Sequence, residues 1–243
     1  GYLRPQSGVC KIFGEDITKM SAATRERIAL LLEGHVQYAF MTIGQIERFY
    51  SQFYKKWNRA AYYELMEKLK VTPDQKLSSM SCGQRSQVAL GLILAQNADL
   101  LVLDDFSLGL DPGYRRLFTD YLREYAKAEN KTVFMTSHII QDMERLVDDC
   151  IILDYGRILV QKPVKELMDT FHRYAFTAAD CSALESDSRL YSTSRIRENC
   201  ETFSFETGEA VRKILEEKAI EYKDLRQEKL SLEDIFIGLT GKY

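Results

Sequence analysis

Between residues 100 and 160, short unbroken apolar runs take turns with amphipathic stretches. Leu100-Leu101-Val102-Leu103 is a continuous apolar run, the pattern of a strand covered on both faces. A helix is expected from Pro112 to about Ala128. Leu117, Tyr121, Leu122 and Tyr125 share one stripe of it, and Pro112 takes a favourable first-turn position. Thr132 to Thr136 reads as the next strand, Ile140 to Val147 as the next helix, and Cys150 to Leu153 as another strand. Asp154-Tyr155-Gly156-Arg157 reads as a hairpin turn into Ile158 to Val160. Strands alternating with helices imply parallel pairing through crossover helices, hence an α/β fold.

The flanking segments have a different character. Gly1 to Gly8 is a turn-rich connector leading to a short strand, Val9 to Phe13, which Gly14 ends. A second apolar stretch, Ile28 to Leu32, stops at Glu33-Gly34. From Thr42 to Lys70 the period turns helical, with Ile43, Ile46, Phe49, Tyr50 and Phe53 and then Tyr62, Leu65, Met66 and Leu69 at spacings of three and four. At least one of Trp57, Tyr62 and Tyr63 is expected in the core. Pro73-Asp74 breaks the run. Ser81 can cap a new helix whose body, Gln84 to Gln96, is apolar on most faces and so reads as buried. After Pro163 the chain reads as a small α+β appendage. It has strand-like pieces at Tyr174 to Thr177 and Glu201 to Phe205, a helix over Gly208 to Lys218, and a last helix from Ser231 with Asp234 completing a capping box. Lys and Arg alternate with acids across 211 to 229, which reads as a solvated helix face.

Composition excludes some classes of function. A formal charge of −3 gives no electrostatic reason to expect a nucleic-acid partner. The longest apolar run, Val88 to Ala95, is far shorter than a bilayer-spanning helix requires. The five cysteines are scattered without a Cys-x-x-Cys pair, which argues against a zinc site and suits a reducing compartment.

Ligands of open parallel sheets gather at the carboxyl ends of the strands, and two strand ends here carry chemistry. Leu100 to Leu103 runs into Asp104-Asp105, and Thr132 to Thr136 runs into Ser137-His138. One carboxylate can hold Mg²⁺ through its water shell, the next can orient an attacking water, and a histidine can contact a terminal phosphate. Each alone could be a solvated strand end or a helix cap. Together on adjacent strands they favour a nucleotide site. Met80-Ser81-Cys82-Gly83-Gln84 adds a helix start, where free amides and the helix dipole favour an anion. Gly83 there permits a close backbone approach.

In order, Leu77-Ser78-Ser79-Met80-Ser81-Cys82-Gly83-Gln84 and Leu100 through Asp104-Asp105 to Leu110-Asp111-Pro112 resemble the ABC ATPase family, in which an LSGGQ signature precedes a Walker B strand and a D-loop. Ile28 to Glu33 resembles the strand before the Q-loop. The tail Ser231-Leu232-Glu233-Asp234-Ile235-Phe236 is similar to the end of exporter-type cassettes. The resemblance implies a P-loop NTPase-like cassette with ATP and Mg²⁺ as cofactors. Ser81, Cys82, Gly83 and Gln84 would form the signature loop, Asp111 the D-loop aspartate and Glu33 the Q-loop residue. Asp104 would be the metal-side aspartate, with Asp105 and His138 as the catalytic pair. It further implies a head-to-tail dimer with a second ATP-binding subunit, a membrane permease partner contacted near residues 33 to 60, and a place on the cytoplasmic face of the membrane. Residues 1 to 165 would be the cassette, with 34 to 95 its helical subdomain, and 166 to 243 an accessory α+β domain.

Three features depart from the family pattern. No Gly-x-x-x-x-Gly-Lys-Ser/Thr occurs in the 243 residues. Because Leu3 to Gly8 resembles the segment just after the P-loop helix, an N-terminally truncated cassette that binds ATP poorly is expected. Asp105 stands where the family usually has glutamate, which implies slow hydrolysis. Cys82 replaces a signature glycine and is expected to be a buried or half-buried structural cysteine. ABC ATPases acting on DNA or the ribosome carry long coiled-coil insertions or two cassettes, neither of which is present. A non-hydrolysing structural or regulatory subunit is the alternative reading that Asp105 and the missing P-loop motif support.

Overall fold

A computed structural model describes residues 3–32, 38–106 and 110–241. They form two compact units, Gly1–Ile139 and Ile140–Tyr243.

The first unit opens with a small antiparallel hairpin, β1 (Lys11–Ile12) and β2 (Glu15–Asp16). Phe13 and Gly14 turn it, with φ of 50° and 83°. The strand expected from Val9 to Phe13 is therefore cut short by its own turn. The Glu15 carboxylate accepts from Ser21 and Thr24 at the start of α1 (Ala22–Arg25). Next comes β3 (Ile28–Leu31).

The helical period of residues 42 to 70 resolves into α2 (Ile43–Ser51) and α3 (Arg59–Lys68). The Thr42 hydroxyl accepts from the Gln45 amide, and the Gln45 side chain accepts from the Thr42 amide, closing a capping box. Tyr62 is wholly buried and its hydroxyl donates to the Ile43 carbonyl at 3.1 Å, tying the two helices together. Glu47, on the same inner face of α2, is also wholly buried. It accepts from Trp57 Nε1 at 2.9 Å and from Arg59 Nε and Nη2 at 3.0 Å, so its charge is matched where water is excluded.

α4 (Cys82–Ala95) is buried continuously from Gln87 to Ala95, as its all-round apolar body requires. It packs on α3 and β3. Gly91 lets it approach α3: a Cβ there would lie 2.9 Å from the Met66 methyl and 3.1 Å from the Tyr62 ring.

β4 (Leu100–Asp104), α5 (Pro112–Ala128) and β5 (Thr132–Thr136) follow. β3, β4 and β5 form a parallel sheet in that order, with Leu31 opposite Leu103 and Asp104 opposite Thr136. Leu101 and Leu103 are buried, whereas Leu100 and Val102 are only half-buried and Leu30 and Phe134 are exposed. β4 thus buries one face fully rather than both. α5 buries Phe118, Tyr121, Leu122 and Tyr125, and the Tyr125 hydroxyl donates to the Leu94 carbonyl of α4.

The second unit begins with α6 (Ile140–Leu146), then β6 (Asp149–Asp154) and β7 (Arg157–Pro163). Among the described residues β6 pairs with β7 alone, antiparallel, around the turn at Tyr155 and Gly156. The expected parallel pairing is found in β3, β4 and β5, and the hairpin expected around Asp154 to Arg157 joins β6 to β7. α7 (Val164–Thr170) leads into β8 (His172–Ala178), β9 (Tyr191–Ile196), β10 (Asn199–Ser204), α8 (Gly208–Glu217), β11 (Tyr222–Glu228) and α9 (Leu232–Thr240). The four strands form an antiparallel sheet ordered β11-β8-β10-β9. Tyr174, Phe176, Cys200, Val211, Ile214 and Leu215 form its core with α8. The charge-rich stretch expected to be one helix face divides here: α8 ends at Glu217, and Tyr222 to Glu228 is an edge strand.

Candidate functional site

Asp104 closes β4, and its register partner across the sheet is Thr136, the last residue of β5. The Thr136 hydroxyl donates to Asp104 Oδ1 at 2.6 Å. The Asp105 amide donates to both the carbonyl and the hydroxyl oxygen of Thr136, each at 3.2 Å. Asp105 itself sits at φ 43°, in the left-handed region that few non-glycine residues occupy. There its Oδ2 lies 2.7 Å from His138 Nδ1. Its other oxygen, Oδ1, is buried and has no hydrogen-bond partner. A strained backbone holding a half-satisfied buried carboxylate is costly in a purely structural role, and such residues cluster at functional sites.

Asp104, Asp105 and His138 are thus brought together at the carboxyl ends of neighbouring parallel strands. Sequence reasoning did not single out Thr136, which bonds both acidic residues. The only available signal was its place at the end of the strand next to β4, legible once the register is known.

The second group of residues lies at the start of α4. The Ser81 hydroxyl accepts from the Gln84 amide at 3.2 Å, and Gln84 Oε1 accepts from the Ser81 amide at 3.0 Å. This capping box leaves the Cys82 and Gly83 amides without helical partners, the arrangement that favours an anion. Gly83 is buried. Cys82 is exposed, contrary to expectation, because it takes the first helical position while Gly83 takes the inward one. Among the described residues no hydrogen bond joins this helix start to the Asp104–His138 group. Asp111 caps α5, its Oδ1 accepting from the Gly113 and Tyr114 amides at 2.9 and 3.1 Å. Glu33 and residues 107 to 109, part of the stretch that resembles a D-loop, lie outside the described residues.

The donors at the strand ends are oxygens, the set that suits a hard cation such as Mg²⁺. Among the described residues no three His, Cys, Asp or Glu side chains converge on one point. These carboxylates fit a cation held by one or two protein ligands with phosphates and water completing its shell. A cleft of about 200 Å³ lined by Glu26, Arg27, Lys55, Lys56 and Asp99 lies elsewhere. Arg27 and Asp99 immediately precede β3 and β4, so the cleft opens at the amino ends of the strands, away from the carboxylates. The Arg27 guanidinium, 2.6 Å from Asp99, holds that carboxyl below its ordinary range. No helix among the described residues is long and apolar enough to cross a membrane.

The family model described as "ABC transporter" matches residues 1–107, a span that includes the signature-like helix start and Asp104-Asp105. The chain is 25% identical to the "Uncharacterized ABC transporter ATP-binding protein YhcH" of Bacillus subtilis, across 100% of this chain and 81% of that protein. It is 27% identical to the bacitracin transport ATP-binding protein BcrA of Bacillus licheniformis, across 72% of this chain but only 58% of the relative. A solved ATP-binding subunit of an ABC transporter superposes with a TM-score of 0.59 at 22% identity, covering 70% of this chain and 72% of that one, which bears on the fold alone. The strand-end carboxylates and the capped helix start thus lie in a chain that is similar, through residues 1–107, to the ABC transporter family model and, along its whole length, to an ABC transporter ATP-binding protein.

Proposed function

We propose that this chain is the ATP-binding subunit that couples ATP binding and hydrolysis to transport through a membrane permease. The observation that carries the reading is the Asp104–Thr136–Asp105–His138 network at adjacent strand ends. Asp104 would hold Mg²⁺, which when bound neutralises phosphate charge. Asp105 would orient an attacking water, and His138, positioned by Asp105 Oδ2, would offer its far ring nitrogen to a terminal phosphate. The amide-rich start of α4 at Ser81, Cys82, Gly83 and Gln84, with Asp111, would meet the nucleotide of a second, head-to-tail subunit. Glu33 would take the Q-loop position.

The permease would dock on the helical region, on the cytoplasmic face of the membrane. Tyr38, Phe40, Phe49 and Phe53 offer a surface for it. Their rings form edge-to-face pairs, yet Phe40 is 71% and Phe53 62% exposed. An aromatic cluster left open to water suits a protein partner. We read residues 1 to 165 as the cassette and 166 to 243 as the accessory domain, so the cassette would extend past the end of the first compact unit. With no P-loop motif in its sequence, this chain alone would bind ATP weakly.

The test is Asp104→Asn in the full-length protein. We expect ATPase activity to fall by about 100-fold or more, since a metal-side carboxylate lies at the centre of charge stabilisation. Normal turnover in that variant overturns the site. Absence of turnover in the unaltered protein, with nucleotide still bound, favours the non-hydrolysing subunit instead.

A further inference from the structure

We infer that Thr136 is a positioning residue for the metal-side carboxylate, an inference that rests on the site reading above. A hydroxyl has one hydrogen to donate and two lone pairs to accept with. Thr136 donates that hydrogen to Asp104 Oδ1 at 2.6 Å and accepts from the Asp105 amide at 3.2 Å. Its carbonyl accepts from the same amide. One side chain therefore fixes the rotation of the Asp104 carboxylate and helps hold the Asp105 backbone at φ 43°. Among the described residues no protein group bonds Asp104 Oδ2, so the fixed carboxylate presents one free oxygen.

The choice of threonine fits this task. Its branched Cβ restricts χ1, so the hydroxyl direction is set by the strand rather than searched for. The register pairing of Asp104 with Thr136 places the two side chains on the same face of the sheet, at the distance of direct strand neighbours. Partners that orient a metal-ligating carboxylate change metal affinity rather than overall fold.

The experiment compares Thr136→Val, which keeps the shape and removes the hydroxyl, with Thr136→Ser, which keeps the hydroxyl. Each is made in the full-length protein and read by Mn²⁺ electron paramagnetic resonance in the presence of ATP, beside Asp104→Asn. Thr136→Val is expected to weaken Mn²⁺ binding by about tenfold. Any loss of ATPase rate should be recovered by raising Mg²⁺. Thr136→Ser is expected to retain most of the affinity. A purely structural role would lower the melting temperature without moving the metal dependence. If Asp104→Asn abolishes Mn²⁺ binding while Thr136→Val leaves it unchanged, the positioning role is overturned and the site stands. If neither variant changes it, or the unaltered protein binds no Mn²⁺ with ATP, the site reading fails and this inference with it.

Discussion

Asp105 combines three properties at one position: a left-handed backbone, an oxygen bonded to His138, and a second oxygen buried without a partner. Aspartate tolerates φ near +43° better than most residues, because its short polar side chain can bond locally. The family's usual glutamate would carry the carboxylate one C–C bond further, about 1.5 Å. Displacement on that scale can change a rate by roughly 100-fold when the group orients a reacting water. Asp105→Glu is therefore expected to raise kcat of the full-length protein by between about 10-fold and 100-fold. Steady-state ATPase assays at saturating Mg²⁺ check it, and an unchanged kcat would mean that the backbone already compensates for the shorter side chain. The acids and the histidine were legible in the sequence because strand ends of parallel sheets are where such groups matter. Thr136 was not, because a strand-end threonine has no distinctive pattern until Asp104 is known to lie opposite it. The exposure of Cys82 was hidden for a similar reason: the first and second positions of α4 differ in burial, and only packing decides which faces in.

Elements announced themselves where local chemistry and burial agreed. The Ser81 and Gln84 capping box fixed the start of α4, and Ser231 with Asp234 did the same for α9. β11 was hidden because its inward residues, Tyr222 and Leu225, are three apart, a helical spacing. The register slips between Lys223 and Arg226, and Asp224 lies at φ 55°, so a bulge breaks the strand's alternation. β9 was hidden because Tyr-Ser-Thr-Ser-Arg-Ile is polar, as an edge strand can be. Gly238 shows the converse, a poor helix former in mid-helix that packing demands. A Cβ there would stand 2.6 Å from Phe203 Cδ1 and 2.8 Å from Cγ, both in a ring that also stacks on Phe171. Gly238→Ala gains about 1 kcal/mol of helix propensity. Overpacking against a ring that cannot retreat costs about 1–3 kcal/mol, so a net loss of stability is expected in urea denaturation. A variant more stable than the parent would show that α9 can shift off the sheet.

At the scale of the whole molecule, each of the two compact units buries groups that ionise only in alkali. In the first unit, burial pushes the phenols of Tyr121 and Tyr125 up to about 12, and Tyr62 is raised in the same direction. In the second, burial beside Cys200 pushes the Cys181 thiol up to about 12. A group whose folded pKa lies above its unfolded value contributes full stability below the unfolded pKa and loses it as pH rises through the folded one. For the tyrosines that window opens near pH 10 and closes near pH 12. On the order of 2 kcal/mol is at stake per phenol across it. Urea midpoints under reducing conditions should therefore be flat between pH 7 and 9 and fall steeply by pH 11. The decline should be steepest for probes of the first unit, where Tyr62, Tyr121 and Tyr125 lie. Tyr125→Phe discriminates the cause. It removes the hydroxyl that donates to Leu94, so it should weaken the protein near pH 8, yet its midpoint should fall less between pH 9 and 11 than the parent's. Equal slopes in parent and variant would mean that the buried phenols are not what alkali acts on.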